Sequence, residues 1–172
     1  PTVTTSWMDG TFGPGVGSSR VLVEDIDQDG DAEVIACATG HVGVVAYRPP
    51  SSYETIWYSD QVDCRRIATG ASLSGLGRDL FVLTDDDRIE VFRLDDFTLI
   101  DELYIQQDSP SRDLQVGDVD GDGHLEVVIT RTADTLVADR ETWQLEWQAV
   151  GRGGKQVALG DVDGDGTPEI AV

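Results

Sequence analysis

Carboxylates gather at three places in this chain with one spacing. Asp25, Asp27, Asp29 and Glu33 stand at positions 1, 3, 5 and 9 of a nine-residue stretch. Asp118, Asp120, Asp122 and Glu126 repeat the pattern, and so do Asp161, Asp163, Asp165 and Glu169. Position 6 is glycine in each copy: Gly30, Gly123 and Gly166. Like charges at this density repel one another unless a cation joins them. Hard carboxylate oxygens suit Ca²⁺, which gathers roughly 6–8 oxygens in a flexible shell. The glycine lets the chain turn sharply, so that alternate side chains face one centre. Position 7 offers a backbone carbonyl, from Asp31, His124 or Thr167.

The first half of the pattern is that of an EF-hand loop, but an EF-hand closes with a glutamate at position 12 and lies between helices. Here the glutamate comes at position 9 and is followed by short β-branched runs: Val34-Ile35-Ala36-Cys37, Val127-Val128-Ile129 and Ile170-Ala171-Val172. Val21-Leu22-Val23, Leu114-Gln115-Val116 and Val157-Ala158-Leu159 precede the loops. Runs of this kind form strands. Each acidic loop is therefore expected to join two strands.

The elements that must position these loops recur with a period. Asp118 and Asp161 are 43 residues apart, and Asp25 and Asp118 are 93 apart, about two periods. A further unit is thus expected to begin near residue 71. Ile67-Ala68-Thr69-Gly70-Ala71 does parallel Val157-Ala158-Leu159-Gly160-Asp161, and Leu80-Phe81-Val82-Leu83 stands where Val127-Val128-Ile129 stands. That second unit keeps its strands but lacks the aspartates, and no metal is expected there. A third strand is expected over 42–47, 88–94 and 135–139, and a fourth over 55–58, 99–105 and 145–149. A turn with Pro49-Pro50, Asp95-Asp96 or Arg140-Glu141 lies between them. Trp57 and Trp147 each fall 14 residues before the next loop start, with Trp7 in a similar place, and packing between neighbouring sheets is their expected role.

Four short antiparallel strands in a tandem unit of this length indicate an all-β chain, a β-propeller of four-stranded antiparallel blades. A blade buries its faces only against neighbours, so blades stack around an axis. The expected blades span about 19–61, 65–107 and 112–150, three in full. Residues 155–172 form an incomplete one, and a leading strand lies near 3–8. The strand before each acidic loop, short and apolar, is expected to be innermost.

The chain has 172 residues, enough for a domain with a real core. Its formal charge is −21, from 33 acidic and 12 basic residues, and Lys155 is the single lysine. This balance argues against nucleic acid and anionic membranes as partners. No apolar run is long enough to insert into a bilayer. Cys37 lies in an apolar strand run, which favours a buried free thiol; its spacing to Cys64 leaves a disulfide open. The chain starts at Pro1 and stops within a strand at Val172, and so reads as a piece of something longer.

Asp-x-Asp-x-Asp-Gly-x-x-Glu at 25–33, 118–126 and 161–169, with its apolar flanks, resembles the FG-GAP/VCBS repeats of integrin α-subunit propellers and of many bacterial secreted proteins. Phe12-Gly13 and Val16 are similar to the element that gives the family its name. The resemblance implies Ca²⁺ in the loop between the first two strands of a blade, at about three sites. The first ligand set would be Asp25, Asp27, Asp29, the Asp31 carbonyl and Glu33. The second would be Asp118, Asp120, Asp122, the His124 carbonyl and Glu126, and the third Asp161, Asp163, Asp165, the Thr167 carbonyl and Glu169. The hairpin from Val137 to Trp147 is similar to that of quinoprotein-type propeller blades, without implying their cofactor.

Elsewhere the sequence holds no nucleophile elbow, phosphate loop, zinc-spaced Cys/His set or Ser/His/Asp signature. His41 at a turn, the Asp85-Asp86-Asp87 turn and the Arg65-Arg66 pair read as ordinary surface features, and 151–155 as a linker between blades. The expected role is a non-catalytic, calcium-stabilised module that presents loops to a protein or glycan. The alternative is the propeller of a secreted carbohydrate-active enzyme, such as a polysaccharide lyase. Extracellular calcium, about 1 mM, is high enough to fill such sites and cytosolic calcium is not, which points to an extracellular, cell-surface or periplasmic location. Three arrangements would complete the ring: the leading and trailing strands closing a fourth blade, two chains sharing strands in a homo-oligomer, or further blades, the last favoured because Val172 cuts a strand.

Overall fold

The computed structural model describes residues 20–38, 40–48, 52–59, 62–105 and 109–172. The leading strand near 3–8 with Trp7, the Phe12-Gly13 and Val16 element, and Pro49-Pro50 lie outside the described residues. Among the described residues all regular structure is β, in fourteen strands. The first sheet contains β1 (Arg20–Glu24), β2 (Glu33–Ala38), β3 (His41–Arg48) and β4 (Ser52–Ser59). The second contains β5 (Cys64–Ala71), β6 (Arg78–Thr84), β7 (Arg88–Arg93) and β8 (Leu99–Tyr104). The third contains β9 (Ser111–Gly117), β10 (Glu126–Arg131), β11 (Asp134–Asp139) and β12 (Leu145–Val150). A two-stranded sheet, β13 (Ala158–Gly160) and β14 (Glu169–Ala171), follows. In each sheet the strands lie in chain order and pair antiparallel.

Side-chain alternation explains why the sheets stack. Successive residues of a strand point to opposite faces, and the central strands are apolar on both. Leu80 and Val82 of β6 join a core with Ile35, Val42 and Val44 of the first sheet. The intervening Phe81 and Leu83 join Leu114, Val127 and Ile129 of the third sheet. Val128, between the last two, turns the other way to Val137 and Val157. The second sheet is thus sandwiched between the first and third, and the third between the second and the two-stranded sheet. The outermost strands β4, β8 and β12 carry mixed or exposed patterns, and no further described strand pairs with them.

The first strand of each sheet is innermost: β1 packs beside β5, β5 beside β9, and β9 beside β13. The approach is close enough that a Cβ on Gly70 would come within 2.7 Å of Val116 Cγ1. Asp113, only 1% exposed, ties these strands together. It accepts from Arg20 Nη1 of the first sheet at 3.2 Å and from the Val157 amide at 3.1 Å, and faces Arg66 Nε of the second sheet at 3.5 Å. The arrangement is β-propeller-like.

One expectation is corrected. Cys37 and Cys64 form a disulfide, and neither is a free thiol. The apolar surroundings of Cys37 concealed its partner, because Cys64 opens β5 in the adjoining sheet, a neighbour made by stacking alone. The segment 151–155, expected as a linker, folds back on the third sheet: the Gly154 amide donates to the Arg131 carbonyl and Thr135 Oγ1 to the Arg152 carbonyl.

Candidate metal centres

Each acidic stretch joins the first and second strands of its sheet, so all of them lie at one end of the stack. Their folding follows from aspartate's habit of accepting from backbone amides a few residues on. The position-1 carboxylate accepts from the position-6 glycine amide: Asp25 from Gly30 at 3.1 Å, Asp118 from Gly123 at 3.0 Å, Asp161 from Gly166 at 3.1 Å. Position 3 accepts from the amide of position 5, and position 5 from that of position 7 (Asp31, His124, Thr167), at 2.8 Å in all three loops for the latter. These bonds wind the chain into a tight coil with the odd-numbered side chains turned inward. Gly30, Gly123 and Gly166 take φ of 98°, 91° and 97°, the left-handed region that a glycine enters freely.

The result is convergence. In the first loop, ligand oxygens of Asp25, Asp27 and Asp29 lie within 4.8 Å of one another; so do those of Asp118, Asp120 and Asp122 in the third sheet, and of Asp161, Asp163 and Glu169 in the fourth. Glu33 and Glu126 do another job as well. Each is 1% exposed and accepts from the position-2 amide, Ile26 at 3.0 Å and Val119 at 2.7 Å, as Glu169 does from Val162 at 2.7 Å. The glutamate thereby staples the loop's entry to its exit. The His124 imidazole lies out of the coil, 3.8 Å from Glu141.

The electrostatics match crowding. Burial pushes the Glu126 carboxyl up to about 7, against the lowering effect of the Val119 amide, and Asp120, Glu146 and Asp118 add to the rise. Glu33 is raised for the same first reason, with Asp27, Asp29 and Asp25 contributing. A divalent cation among these oxygens would reverse the repulsion. The donor set fits Ca²⁺: three carboxylates on one coil, all oxygen, with mostly exposed aspartates and no sulfur or nitrogen side chain inside.

Position 4 was missed by sequence reasoning. Gln28, Gly121 and Gly164 all adopt left-handed φ, at 61°, 79° and 82°. Glycine at position 4 in two copies was the available signal. The second sheet's loop is closed differently, by Ser72 N to the Gly77 carbonyl at 3.2 Å. Asp79 nevertheless occupies the glutamate position there: it pairs with Gly70, as Glu126 pairs with Gly117. The other charged turns are internally paired. Arg65 binds Asp85 and Asp87, and Arg88 binds Asp86. No helix among the described residues is long and apolar enough to cross a membrane.

No family model and no curated protein matches the chain. Among solved structures it is similar to one titled "Structure of the Neurospora crassa Pan2 WD40 domain", with a TM-score of 0.51 and 13% identity. The match covers 77% of this chain and 36% of that one, so the chain spans about a third of its neighbour's length. The likeness supports the β-propeller-like fold.

Proposed function

We propose that the chain is a calcium-stabilised β-propeller module of the FG-GAP/VCBS kind, which works outside the reducing cytosol and presents its loops to a protein or glycan without catalysing a reaction. The observation that carries this reading is the recurrence of one coil, with three converging carboxylates each time, at the same corner of three sheets. An acidic turn on a protein surface has no need to repeat its geometry; a cation site does. In this role Ca²⁺ fixes the tight loop where the first and second strands meet. Because those first strands are innermost, the ion stiffens the centre of the stack. With dissociation constants of roughly 10–100 µM and about 1 mM free calcium, each site contributes roughly 1.4–2.7 kcal/mol.

The disulfide between Cys37 and Cys64 supports the location, since such bonds persist in oxidising compartments. The excess of acidic over basic residues, 33 against 12, supports a partner that is neither a nucleic acid nor an anionic membrane. The ring is completed by further blades or by a second chain. Thermal melting with excess chelator and with millimolar calcium tests the reading: calcium at three sites is expected to raise the melting temperature by roughly 10–30 degrees. An unchanged transition would remove the metal from the account.

A further inference from the structure

The loop of the second sheet differs from the coils on either side of it in what it holds out to solvent. Residues 71–79 match the coils in length, because Asp79 pairs with Gly70 as Glu126 pairs with Gly117. Leu73 and Leu76 therefore stand at positions 3 and 6, where the coils carry an aspartate and a glycine. Neither leucine is absorbed by the core: Leu73 is 52% exposed and Leu76 79%. The loop that carries them is closed without a cation. The Gly75 amide donates to the Ser72 carbonyl at 2.9 Å, and Ser74 Oγ to the Leu76 carbonyl at 3.2 Å.

Each leucine walls an apolar cleft. Leu76 shares a cleft of about 330 Å³ with Ile26 and Ile56 of the first sheet and with Leu94 and Phe97, and its charged members are Asp27 and Asp95. Leu73 shares one of about 310 Å³ with Leu125 and His124 of the third sheet, and its acidic member is Glu141. No lysine or arginine lines either cleft, nor does any residue of β13, β14 or the loop between them. The charge around the clefts has one sign. Of the chain's 12 basic residues, Arg48, Arg78, Arg93 and Arg140 lie at the loop end of the sheets, and the rest lie toward the other end. Those four are already held by Glu54, Glu24, Asp96 and Asp101. The flanking coils hold five and four carboxylates, so a divalent cation in each would leave both acidic.

We propose that this loop and its two clefts are a docking site for a basic segment of another protein. Aliphatic side chains of the segment pack on Leu73 and Leu76, and lysines or arginines on either side of them reach Asp95 and Glu141. The leucines supply apolar area to bury, and the acidic collar selects the partner, because it attracts a basic segment and repels an acidic one. The closed loop holds both leucines in place before docking, which lowers the ordering cost. The site rests on the reading of the chain as a recognition module and not on its calcium.

The probe is a library of random-sequence linear peptides displayed on phage, selected on the intact chain in millimolar calcium and separately in excess chelator. The peptides retained are expected to carry lysine or arginine on both sides of an aliphatic pair, in both conditions. Fluorescence titration with one such synthetic peptide is expected to show binding weakened about tenfold by Leu73→Ser/Leu76→Ser and kept by Leu73→Met/Leu76→Met. Asp95→Asn/Glu141→Gln is expected to weaken it at low salt and to matter less at high salt. Leu145→Ser, at a comparably exposed leucine on β12, is expected to leave it unchanged. Unchanged circular dichroism of each variant shows that the fold is intact. Failure to retain any peptide, retention of peptides without basic residues, or binding indifferent to the leucine pair overturns the proposal. So does an equal loss in Leu145→Ser, which would mark unspecific adhesion, or binding of an acidic polysaccharide that the leucine pair controls, which would assign the loop to a glycan. Because selection is also run in chelator, failure of the calcium reading alone leaves the retained peptides unchanged.

Discussion

Asp120 shows what a single side chain does in these loops. Its carboxylate accepts from the Asp122 amide at 3.1 Å and converges with Asp118 and Asp122. Replacing it by alanine removes one charge from a cluster that is self-repelling without a cation and a ligand from one that is filled. Asp120→Ala is therefore expected to leave the calcium-free melting temperature nearly unchanged. It removes about a third of the calcium-induced increase, roughly 1.4–2.7 kcal/mol by the same mass-action argument. Calorimetric melting with and without calcium checks this. The coil was legible in the sequence because its determinants are local: aspartates at alternate positions and glycine at position 6 need only near neighbours. Gln28 was not legible, because a glutamine at left-handed φ is tolerated only where the coil imposes it. Nor was the pairing of Cys37, whose partner is supplied by another sheet.

At the scale of the strand, the sheets were legible because central strands such as Leu80-Phe81-Val82-Leu83 are apolar on both faces and bounded by turns. Trp57 packs on the adjoining sheet, in the role expected of an interblade aromatic. Trp147, expected in the same role, is instead 50% exposed. The pairing of third and fourth strands slips just after Val44, Val91 and Val137, and this left no mark in composition; it is a property of paired strands. Asp79 shows the cost of retaining an acid where the rest of the coil is gone. It is fully buried, neither of its oxygens makes a hydrogen bond of good geometry, and burial raises its carboxyl above the ordinary range although Ser72, Arg140 and Arg93 favour the charged form. A carboxyl raised on folding binds its proton more tightly in the folded state. Its contribution is greatest below the ordinary aspartate range and is lost as pH rises through that range toward the folded value. Asp79→Asn does not titrate. The melting temperature of the variant relative to the parent is expected to increase from pH 4 to pH 7; a difference constant with pH would contradict the assignment.

Over the whole molecule, two long-range ties complement the stacked cores, and neither was readable from spacing. Asp113 links the inner strands through Arg20, Arg66 and the Val157 amide. The disulfide joins the first and second sheets across 27 residues of chain, and a loop of that size constrains the unfolded state by roughly 3–4 kcal/mol. Reduction in otherwise native buffer is expected to lower the denaturant midpoint accordingly, and Cys37→Ala/Cys64→Ala should match the reduced protein. A parent chain and double variant of equal stability under oxidising conditions would show that the bond does not form. The central claim is that three coils hold three cations. Isothermal titration of Ca²⁺ into the chelator-stripped chain tests it most directly. The account predicts a stoichiometry near three per chain, falling by one in each of Asp27→Ala, Asp120→Ala and Asp163→Ala; heats of dilution alone, or binding unaffected by those substitutions, would contradict it.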